Sequence, residues 1–528
     1  MSRIQRRRPT WQSTTWFNLL PNLAMVSDLV IKLRLYTLAS LLIFFLVACT
    51  PTSEQITISV SVDGDTRELS LPVGSSVRDV LAMAGIDLGD LDRTDPPSYA
   101  ELQDGDEIRV IRVTEEFETE QVPLPFISRT LPNESLPTGE QRLIQNGANG
   151  LEEVHYRLLY EDGELVSRTE FDSGVLVQPV EEIIMIGVQS PFSSVPIAGR
   201  LAFLSAGNAW VLEGSSGARR PAVVTGDLDG RIFEISPDGG WLLFSRTSST
   251  GINELWVATL DEGDQVFVDL NVSNVVHYAG WIPGGENQIA FSTVEPSINP
   301  PGWQANNDLK YVSFNQRGFT ERRVLLNPRE DGFYSWWGTS YAWSPDGERV
   351  AFTRPDAVGE VDNNTLDIWY QLPTYQTGSD WAVIPGLAWL GDDRFYYIRY
   401  SVNPSTFDLV LADEESEEII ASDVGMFASP VVEPGGEQVA FLRAFTPSQS
   451  DISAYELMVS TPAGQSMSLF PPEGAAGLQP QRVGWSPSAE NGPMIAFVYQ
   501  GNLWVVNVLS GEAQQLTGDG LVTALSWR

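Results

Sequence analysis

The feature that most constrains the fold is a turn motif that recurs from residue 201 onward. A Ser-Pro-Asp-Gly type turn precedes an apolar strand ending in Ala-Phe or a similar pair, and a strand containing Leu-Trp-Val or a similar triplet follows. Successive copies are 42 to 62 residues apart, which is typical of the four-stranded blades of a β-propeller. The lead positions are Ile235, Trp281, Trp343, Trp389, Val432, Trp485 and Trp527.

The two ends of the repeat region complete each other. Residues 524–527 match the first strand of a repeat without the strands that follow it. Residues 201–211 match those following strands without the first one. One shared blade, added to six complete repeats, predicts seven blades in a ring that leaves no long exposed strand edge. Because proline presets φ and glycine takes the left-handed position, we expect Asp238 and Asp346 to be turn residues rather than metal ligands. This region, 201–528, resembles the TolB-like propeller, a resemblance that specifies the architecture but no ligand.

The N-terminal segment has the plan of an export signal. Lys32 and Arg34 precede an apolar run of about fourteen residues, shorter than the roughly 20 that a membrane-spanning helix needs. The run ends in Leu46-Val47-Ala48-Cys49, which resembles the bacterial lipobox and implies that Cys49 receives a diacylglyceryl group. We therefore predict a signal peptide over 1–48, a polar tether over 49–55 and an extracytoplasmic, lipid-anchored protein. A transmembrane anchor and an ordinary signal with a buried cysteine are the alternatives, and Met25 is a second candidate start.

Charge and composition exclude several classes of partner. The net charge is -37, and residues 49–528 carry 26 basic and 68 acidic side chains, so nucleic acid and anionic lipid surfaces should be repelled. Any membrane contact must then come from the lipid on Cys49. With one cysteine and two histidines, the chain cannot form an intrachain disulfide or a zinc site of Cys and His ligands.

Residues 56–114 read as a small α+β unit. An alternating hairpin turns at Asp63-Gly64-Asp65, a helix follows from Ser76 as N-cap to Gly85, and a strand over 108–113 returns after a second turn. The order resembles the ubiquitin-like β-grasp domains of bacterial wall proteins. A generic α+β spacer is the alternative.

Residues 115–188 are acidic and rich in strand patterns. The ordered segments 124–126, 136–140, 145–150, 160–163 and 179–187 resemble the G-five domain, named for five glycines, which implies an elongated antiparallel fold and contact with amino-sugar polysaccharide. The glycines are expected to be conformational. His155, on an alternating strand, is either a sugar contact or an exposed strand histidine. Residues 189–200 are predicted to be a linker to the propeller.

Candidate catalytic and metal-binding residues are sparse. A Gly-x-Ser-x-Gly nucleophile motif with a later Asp and His is missing from the sequence, so we predict no enzyme activity and no cofactor. Asp227–Gly230 and Asp362–Asp367 could hold calcium through oxygen atoms, although such loops are usually turns. An enzyme acting on extracellular polysaccharide or peptide is the alternative function.

The candidate ligand-binding residues of the propeller lie in a long insertion between Phe291 and Trp343. They are Trp303, Tyr334, Trp336 and Trp337. Flat rings stack on sugars or anchor protein partners, but the same tryptophans could form blade core. We therefore predict a mainly β envelope protein that binds or scaffolds at the cell wall. The expected glycan contact (peptidoglycan) is through the G-five domain and the protein or glycan contact through the propeller; a protein-assembly hub is a further possibility.

Overall fold

The computed structural model describes residues 54–134, 136–188, 192–261, 263, 265–330, 332–377, 381–402, 405–487 and 492–528. Two compact units divide the chain, one holding residues up to 125 with 149–179, the other holding 126–148 and everything from 180. The described residues form 39 strands, one α-helix and one short 3-10 helix, so the mainly β prediction is confirmed. Cys49 and the predicted signal peptide lie outside the described residues. The described part holds no helix long and apolar enough to cross a membrane.

The first unit begins with a four-stranded mixed sheet covered by one helix. Strand order is β2-β1-β4-β3, with β1 and β4 parallel. The elements are β1 (Gln55–Val62), β2 (Asp65–Pro72), α1 (Val77–Ala84), β3 (Arg93–Asp95) and β4 (Glu107–Ile111). Alternate residues of β1 are buried together with Val77, Val80 and Leu81 of the helix, and this shared core produces the β-grasp arrangement.

The predicted helix boundaries are confirmed. The helix starts after Ser76, whose backbone N–H and hydroxyl both donate to the Asp79 carboxylate at 2.8 Å. These hydrogen bonds hold the pKa of Asp79 below its usual value. Gly85 ends the helix in the left-handed conformation, with φ 66°.

Two three-stranded sheets follow in the region of residues 115–188. Their strands are β5 (Val113–Leu124), β6 (Ser128–Asn133), β7 (Gln141–Gln145), β8 (Gly150–Glu161), β9 (Glu164–Val177) and β10 (Glu182–Gly187). In the first unit, β5, β8 and β9 form an antiparallel sheet, here called the ribbon, with β8 in the centre. In the second unit, β10 lies between β6 and β7 and pairs with β6 in parallel. The alternation of apolar residues could not reveal this parallel pair because it does not depend on strand direction.

The ribbon is joined to the small mixed sheet by a cluster of ion pairs. The returning strand ends at Ile111, earlier than the predicted Val113, because Arg112 turns the chain. Its guanidinium contacts Asp63 at 2.9 Å and Asp92 at 2.6 Å, while its N–H donates to Asp162 at 3.0 Å. These ion pairs raise the pKa of Arg112. Arg112 thus connects the mixed sheet to the ribbon within this unit.

Seven sheets make up the rest of the second unit. Six contain four strands each in sequential order. They are β13 (Leu228–Ile235), β14 (Trp241–Thr247), β15 (Asn253–Thr259), β16 (Phe267–Ser273); β17 (Ala279–Trp281), β18 (Gln288–Phe291), β21 (Leu309–Asn315), β22 (Gly318–Leu326); β23 (Ser340–Trp343), β24 (Val350–Arg354), β25 (Ala357–Asp362), β26 (Thr365–Gln371); β27 (Leu387–Leu390), β28 (Arg394–Ser401), β29 (Thr406–Ala412), β30 (Glu417–Ala421); β31 (Val431–Val432), β32 (Val439–Ala444), β33 (Tyr455–Ser460), β34 (Ser466–Phe470); and β35 (Gly484–Trp485), β36 (Met494–Tyr499), β37 (Asn502–Asn507), β38 (Ala513–Gln515). A separate hairpin of β19 (Val294–Pro296) and β20 (Trp303–Ala305) lies in the insertion, and the 3-10 helix covers Pro447–Gln449.

The seventh sheet, here called the closing blade, combines both ends of the repeat region. It contains β11 (Pro196–Ser205), β12 (Asn208–Val223) and β39 (Val522–Trp527) in the order β12-β11-β39. Leu201 pairs with Trp527, and Ser205 with Val522. The prediction of seven blades closed by the two ends is confirmed. Strand β11 begins at Pro196, inside the segment 189–200 that was predicted to be a linker.

Apolar clusters fill every interface between neighbouring blades. Seven clusters each combine residues of two successive sheets, and the last joins β36 and β37 to the closing blade. Tryptophans at three lead positions link blades further, because their indole N–H groups donate to lead-strand carbonyls of the preceding blade. These are Trp281 to Glu234, Trp389 to Ala342 and Trp485 to Val431, at 2.8 to 3.2 Å. The recurring aromatic residue of the repeat is therefore structural.

The recurring Asp is a turn residue, as expected. Asp238 accepts a hydrogen bond from the Ser236 hydroxyl at 2.5 Å and from the Gly240 N–H at 3.0 Å. The Ser344 and Asp346 pair repeats the pattern, and in both turns these hydrogen bonds lower the pKa of the Asp. Gly347 has φ 76°, and a Cβ there would lie 2.1 Å from the Pro283 carbonyl oxygen, so only glycine fits.

The sheet β6-β10-β7 packs against the closing blade within the second unit. Leu131, Leu136, Ile183 and Met185 share one apolar cluster with Phe203, Trp210, Trp527 and other propeller residues. The closing blade has three strands where the other six have four. The G-five region thus contributes apolar surface at the seam where the ring closes.

A buried charge cluster marks this contact. The Arg219 guanidinium lies 3.6 Å from both Glu134 of the G-five region and Asp519, and 4.1 Å from the centre of the Trp210 ring. Glu134 also accepts a hydrogen bond from the Gly518 N–H at 2.8 Å. Burial lowers the pKa of Arg219 and raises that of Glu134. Because Arg219 supplies the positive charge of this cluster, removing it leaves two largely buried carboxyl groups without a counter-charge.

Candidate functional site

The ribbon exposes an aromatic group that no other part of its unit covers. Phe117 on β5 and Phe171 on β9 are 64% and 56% exposed. Each ring lies between two acidic residues in the sequence, and its exposed apolar surface is not stabilised by burial. An exposed ring set of this kind is a candidate for ligand contact.

The register of the sheet brings a third ring to the same face. Thr119 of β5 pairs with His155 of β8, which pairs with Asp172 of β9. The strand bulges next to this pair, so Phe171 also turns to this face. Phe117 and Phe171 meet edge to face at 5.5 Å, and His155 lies 6.1 Å from Phe171. We call Phe117, His155 and Phe171 the ring face.

Polar groups orient the histidine. His155 Nδ1 is 3.0 Å from the Thr119 hydroxyl, and Nε2 is 3.6 Å from the Glu153 carboxylate. Either tautomer can satisfy the hydroxyl, because a hydroxyl both donates and accepts. The imidazole is thus held beside the two phenyl rings, and the three rings together offer an apolar surface edged by hydrogen-bonding groups.

On the opposite face of the ribbon, the charged and aromatic side chains contact one another. Arg168 lies over the Tyr156 ring at 3.5 Å and forms ion pairs with Glu118 at 3.1 Å and Glu120 at 2.6 Å. The two carboxylates raise the pKa of Arg168. This face already combines a ring, a cation and two acids.

The propeller insertion divides the predicted residues into two groups. Trp303 is buried and contacts Trp337 at 5.0 Å and His277 at 4.6 Å. Trp336 is 38% exposed, and Tyr334 lies between it and exposed Phe333, with ring centres 5.1 and 4.7 Å apart. Trp303 is thus buried and Trp337 is half-buried against it, whereas Tyr334 and Trp336 remain available to a ligand. Phe333 lies in the same aromatic segment of the sequence but is not among the predicted ligand-binding residues, and its ring is 50% exposed.

Asn307 holds the insertion in place. This residue is buried with φ 49°, and its amide donates to the carbonyls of Arg329 at 3.2 Å and Ser335 at 2.7 Å. Its side-chain oxygen accepts from the Thr339 hydroxyl at 2.9 Å. Nearby, the Phe333 N–H donates to Asp356 at 2.7 Å. The exposed rings therefore stand on a fixed backbone.

His277 is enclosed beneath this insertion. A Cβ at Gly338 would lie 2.5 Å from its ring, and no hydrogen-bond partner for Nε2 is found in the part of the chain that the structure describes. Burial, together with the charge of Arg231, lowers the pKa of His277 to about 4. The imidazole is therefore neutral at physiological pH.

The acids considered for calcium are engaged elsewhere. Asp227 forms an ion pair with Arg246 at 2.8 Å, and Asp229 accepts from Ser245 and Asn253. Asp362 accepts from Asn363 at 2.8 Å. Among the described residues, no cluster of three or more metal-ligating side chains occurs.

A small concavity lies between the blade of strands β23 to β26 and the blade of strands β27 to β30. Its volume is about 250 Å³, counting space open to solvent, and Pro355, Tyr375, Tyr400 and Phe407 are among its lining residues. Tyr375 contacts Tyr400 at 5.2 Å and Phe407 at 5.4 Å, so these rings mainly pack on one another. The prediction that the chain is not an enzyme stays a prediction.

Several of these residues leave a signal in the sequence. Phe117 and Phe171 interrupt runs of acids on strands, which marks them as surface rings. Asparagines also recur at the start of the third strand of a blade. Asn253 donates to the Val275 carbonyl and accepts from the Val275 N–H, and Asn502 accepts from the Gly520 N–H. The Asn307 clamp has no comparable signal, because its partners are backbone groups far along the chain.

Comparison with known proteins agrees with the first two folded regions. Residues 115–189 match the model of the G5 domain, and residues 58–98 match that of the G5-linked ubiquitin-like domain. Both resemblances are confirmed. A G5 domain is typical of bacterial cell-surface proteins with adhesion or binding roles, which indicates an extracellular location. No curated protein sequence matches the chain.

Solved structures show likeness to individual regions. The G5 domain of HP0197 is 24% identical and covers 14% of this chain and 99% of its own, with a TM-score of 0.14. The G5 domain of IgA1 protease is 22% identical and covers 15% and 94%, with a TM-score of 0.12. TolB from Acinetobacter baumannii is 13% identical and covers 69% of this chain and 98% of its own, with a TM-score of 0.35. The chain thus combines a G5-linked ubiquitin-like domain, a G5 domain and a propeller-like β domain that is similar to TolB.

Proposed function

We propose that this protein is a lipid-anchored binding protein of the bacterial cell envelope and that its ribbon contacts amino-sugar polysaccharide of the wall. The observation that carries the proposal is the ring face, three rings held side by side on an uncovered sheet. Sugar rings present apolar C–H faces that stack on such rings, while Thr119 and Glu153 can bind hydroxyl groups at the edge. The G5 match supports the same class of ligand.

The wall-binding proposal is tested by cosedimentation. The purified full chain in detergent should pellet with insoluble peptidoglycan, and the double variant Phe117→Ala/Phe171→Ala should remain in the supernatant. The matched control is Leu165→Ala, which removes another half-exposed apolar side chain of the same strand β9. Equal pelleting of the double variant and the control would contradict the proposal.

The anchor is proposed from the lipobox-like sequence. Two acyl chains hold a protein stably on a membrane because each buried methylene contributes roughly 0.8 kcal/mol. Cells fed a labelled fatty acid should incorporate the label into the chain, and Cys49→Ala should abolish it. Label that persists in Cys49→Ala would show that the acyl group is elsewhere.

The exposed rings of the insertion favour a second contact, through the propeller. Phe333, Tyr334 and Trp336 form a rigid aromatic surface, and such residues anchor protein partners. The insertion also offers a matched pair of neighbouring tryptophans. Trp336→Ala should weaken capture of an envelope protein by crosslinking without lowering stability, whereas Trp337→Ala should destabilise the propeller by about 2 to 4 kcal/mol. Unchanged crosslinking in Trp336→Ala would exclude this surface.

A further inference from the structure

We infer that the ring face of the ribbon selects sugars that carry a free ammonium group over their N-acetylated forms. The inference rests on the proposed wall-binding function and adds the chemical class of the preferred unit. The two faces of the ribbon are built from the same kinds of residue, and they differ in whether a cation covers the rings.

The opposite face shows what a ring and two carboxylates bind in this environment. There, Tyr156 is covered by the Arg168 guanidinium at 3.5 Å, and Glu118 and Glu120 neutralise that cation. A cation over a ring is stabilised by the negative face of the π-system, and nearby carboxylates add charge-assisted hydrogen bonds. The chain supplies its own cation to complete this arrangement.

The ring face has the same parts without the cation. Asp172 pairs in register with His155, and Glu153 lies 3.6 Å from it, so two acids flank the rings. The one arginine here, Arg157, is held by Glu115 at 2.6 Å. In the part of the chain that the structure describes, no guanidinium or ammonium lies over Phe117, His155 or Phe171.

The charge of the region acts in the same direction. Residues 115–188 contain fifteen acids and four arginines. A cationic ligand is therefore attracted, and Asp172, for which no hydrogen bond or ion pair is found among the described residues, can pair with it at the ring face. An N-acetyl group has no charge and would leave Asp172 facing a neutral amide, so the acetylated sugar loses both the charge pair and the cation–ring contact.

The test measures binding of two soluble hexasaccharides to the full chain by calorimetry. They are the β-1,4-linked hexamer of N-acetylglucosamine and the same hexamer after complete de-N-acetylation, at about pH 7, above the ordinary pKa values of carboxyl and imidazole groups. The deacetylated sugar should bind roughly tenfold more tightly, as expected for a charge-assisted contact. Asp172→Asn should remove most of this preference. The matched control Glu170→Gln removes one acid of the same strand from the opposite face, where Glu170 pairs with Tyr156, and should retain the preference.

The outcomes separate the inference from the function on which it rests. Equal affinity for both sugars, or equal loss in Asp172→Asn and Glu170→Gln, would overturn the preference while leaving wall binding in place. Binding of neither sugar, together with failure to pellet with peptidoglycan, would overturn both. A preference that survives Phe117→Ala/Phe171→Ala would show that overall charge, and not the ring face, selects the amine.

Discussion

The two sheets of the G5 domain differ in what covers them. In the ribbon, large apolar side chains such as Phe117 and Phe171 are more than half exposed, and acidic residues flank both of them in the sequence. In the sheet β6-β10-β7, Ile183 and Met185 are 2% and 3% exposed and belong to a propeller cluster. The G5 domain thus has one half, the ribbon, with exposed apolar side chains and another half, the sheet β6-β10-β7, with buried ones. We therefore propose binding for the first half and structural support for the second.

The sharpest way to break this contrast is to remove the buried arginine. Arg219→Ala leaves Glu134 and Asp519 without their cation, and we expect a loss of about 3 to 5 kcal/mol in the free energy of unfolding. Urea unfolding followed by circular dichroism and tryptophan fluorescence measures it. Burial raises the pKa of Glu134, so its neutral form is favoured in the fold and the penalty should shrink at acidic pH as Glu134 gains a proton. A loss below about 1 kcal/mol in the free energy of unfolding would mean that the charge cluster does not stabilise the contact between the G5 domain and the propeller.

A cavity in the covered sheet should be the next largest effect. Ile183→Ala removes a buried side chain at the contact with the closing blade, and we expect a loss of about 2 to 4 kcal/mol. Thermal unfolding of the purified chain measures the change. An effect confined to the G5 domain, with the propeller transition unchanged, would show that the two are not energetically linked.

The buried histidine of the propeller, His277, makes the stability of the fold depend on pH. Because the pKa of His277 is lowered to about 4, the unfolded chain takes up a proton below the ordinary value of about 6.5 while the folded chain does not. Stability is therefore fully present above pH 6.5 and is lost progressively toward pH 4, by roughly 2 to 3 kcal/mol. His277→Gln should flatten this part of the profile. A wild-type profile that already is flat between these values would contradict the buried state of His277.

The smallest effect on stability should come from the exposed half. Phe171→Ala is expected to change the free energy of unfolding by less than about 0.5 kcal/mol, because the ring is mostly in water already. The same variant should weaken peptidoglycan binding. A loss of stability as large as that of Ile183→Ala would remove the distinction between the two sheets.

Sequence alone predicts much of the fold, for identifiable physical reasons. The turn Ser236–Gly240 and its copies fix strand pairs locally, and the incomplete pieces around Phe203 and Trp527 leave one way to close the ring. Helix α1 is bounded by its own capping residues. Each of these features depends on neighbours in the chain or on a repeated pattern.

Other features depend on what lies across a surface, which periodicity does not contain. The sequence places Trp336 and Trp337 side by side, and their adjacency does not reveal that Trp336 is exposed while Trp337 packs against Trp303. Likewise, Ile183–Met185 alternates as any strand does, and nothing in that pattern shows that the propeller covers it. The acid Glu134 reads as a loop residue until its partners Arg219 and Asp519 are known.

The composite origin of the closing blade also constrains the order of assembly. Strand β39 pairs with a strand more than 300 residues upstream, so the seam cannot form until both segments are available to pair. Until then, the apolar seam residues, including those of the G5 sheet, remain open to solvent and to other chains. A protein built in this way has a long vulnerable interval during folding, when binding by a chaperone or attack by a protease would decide its yield.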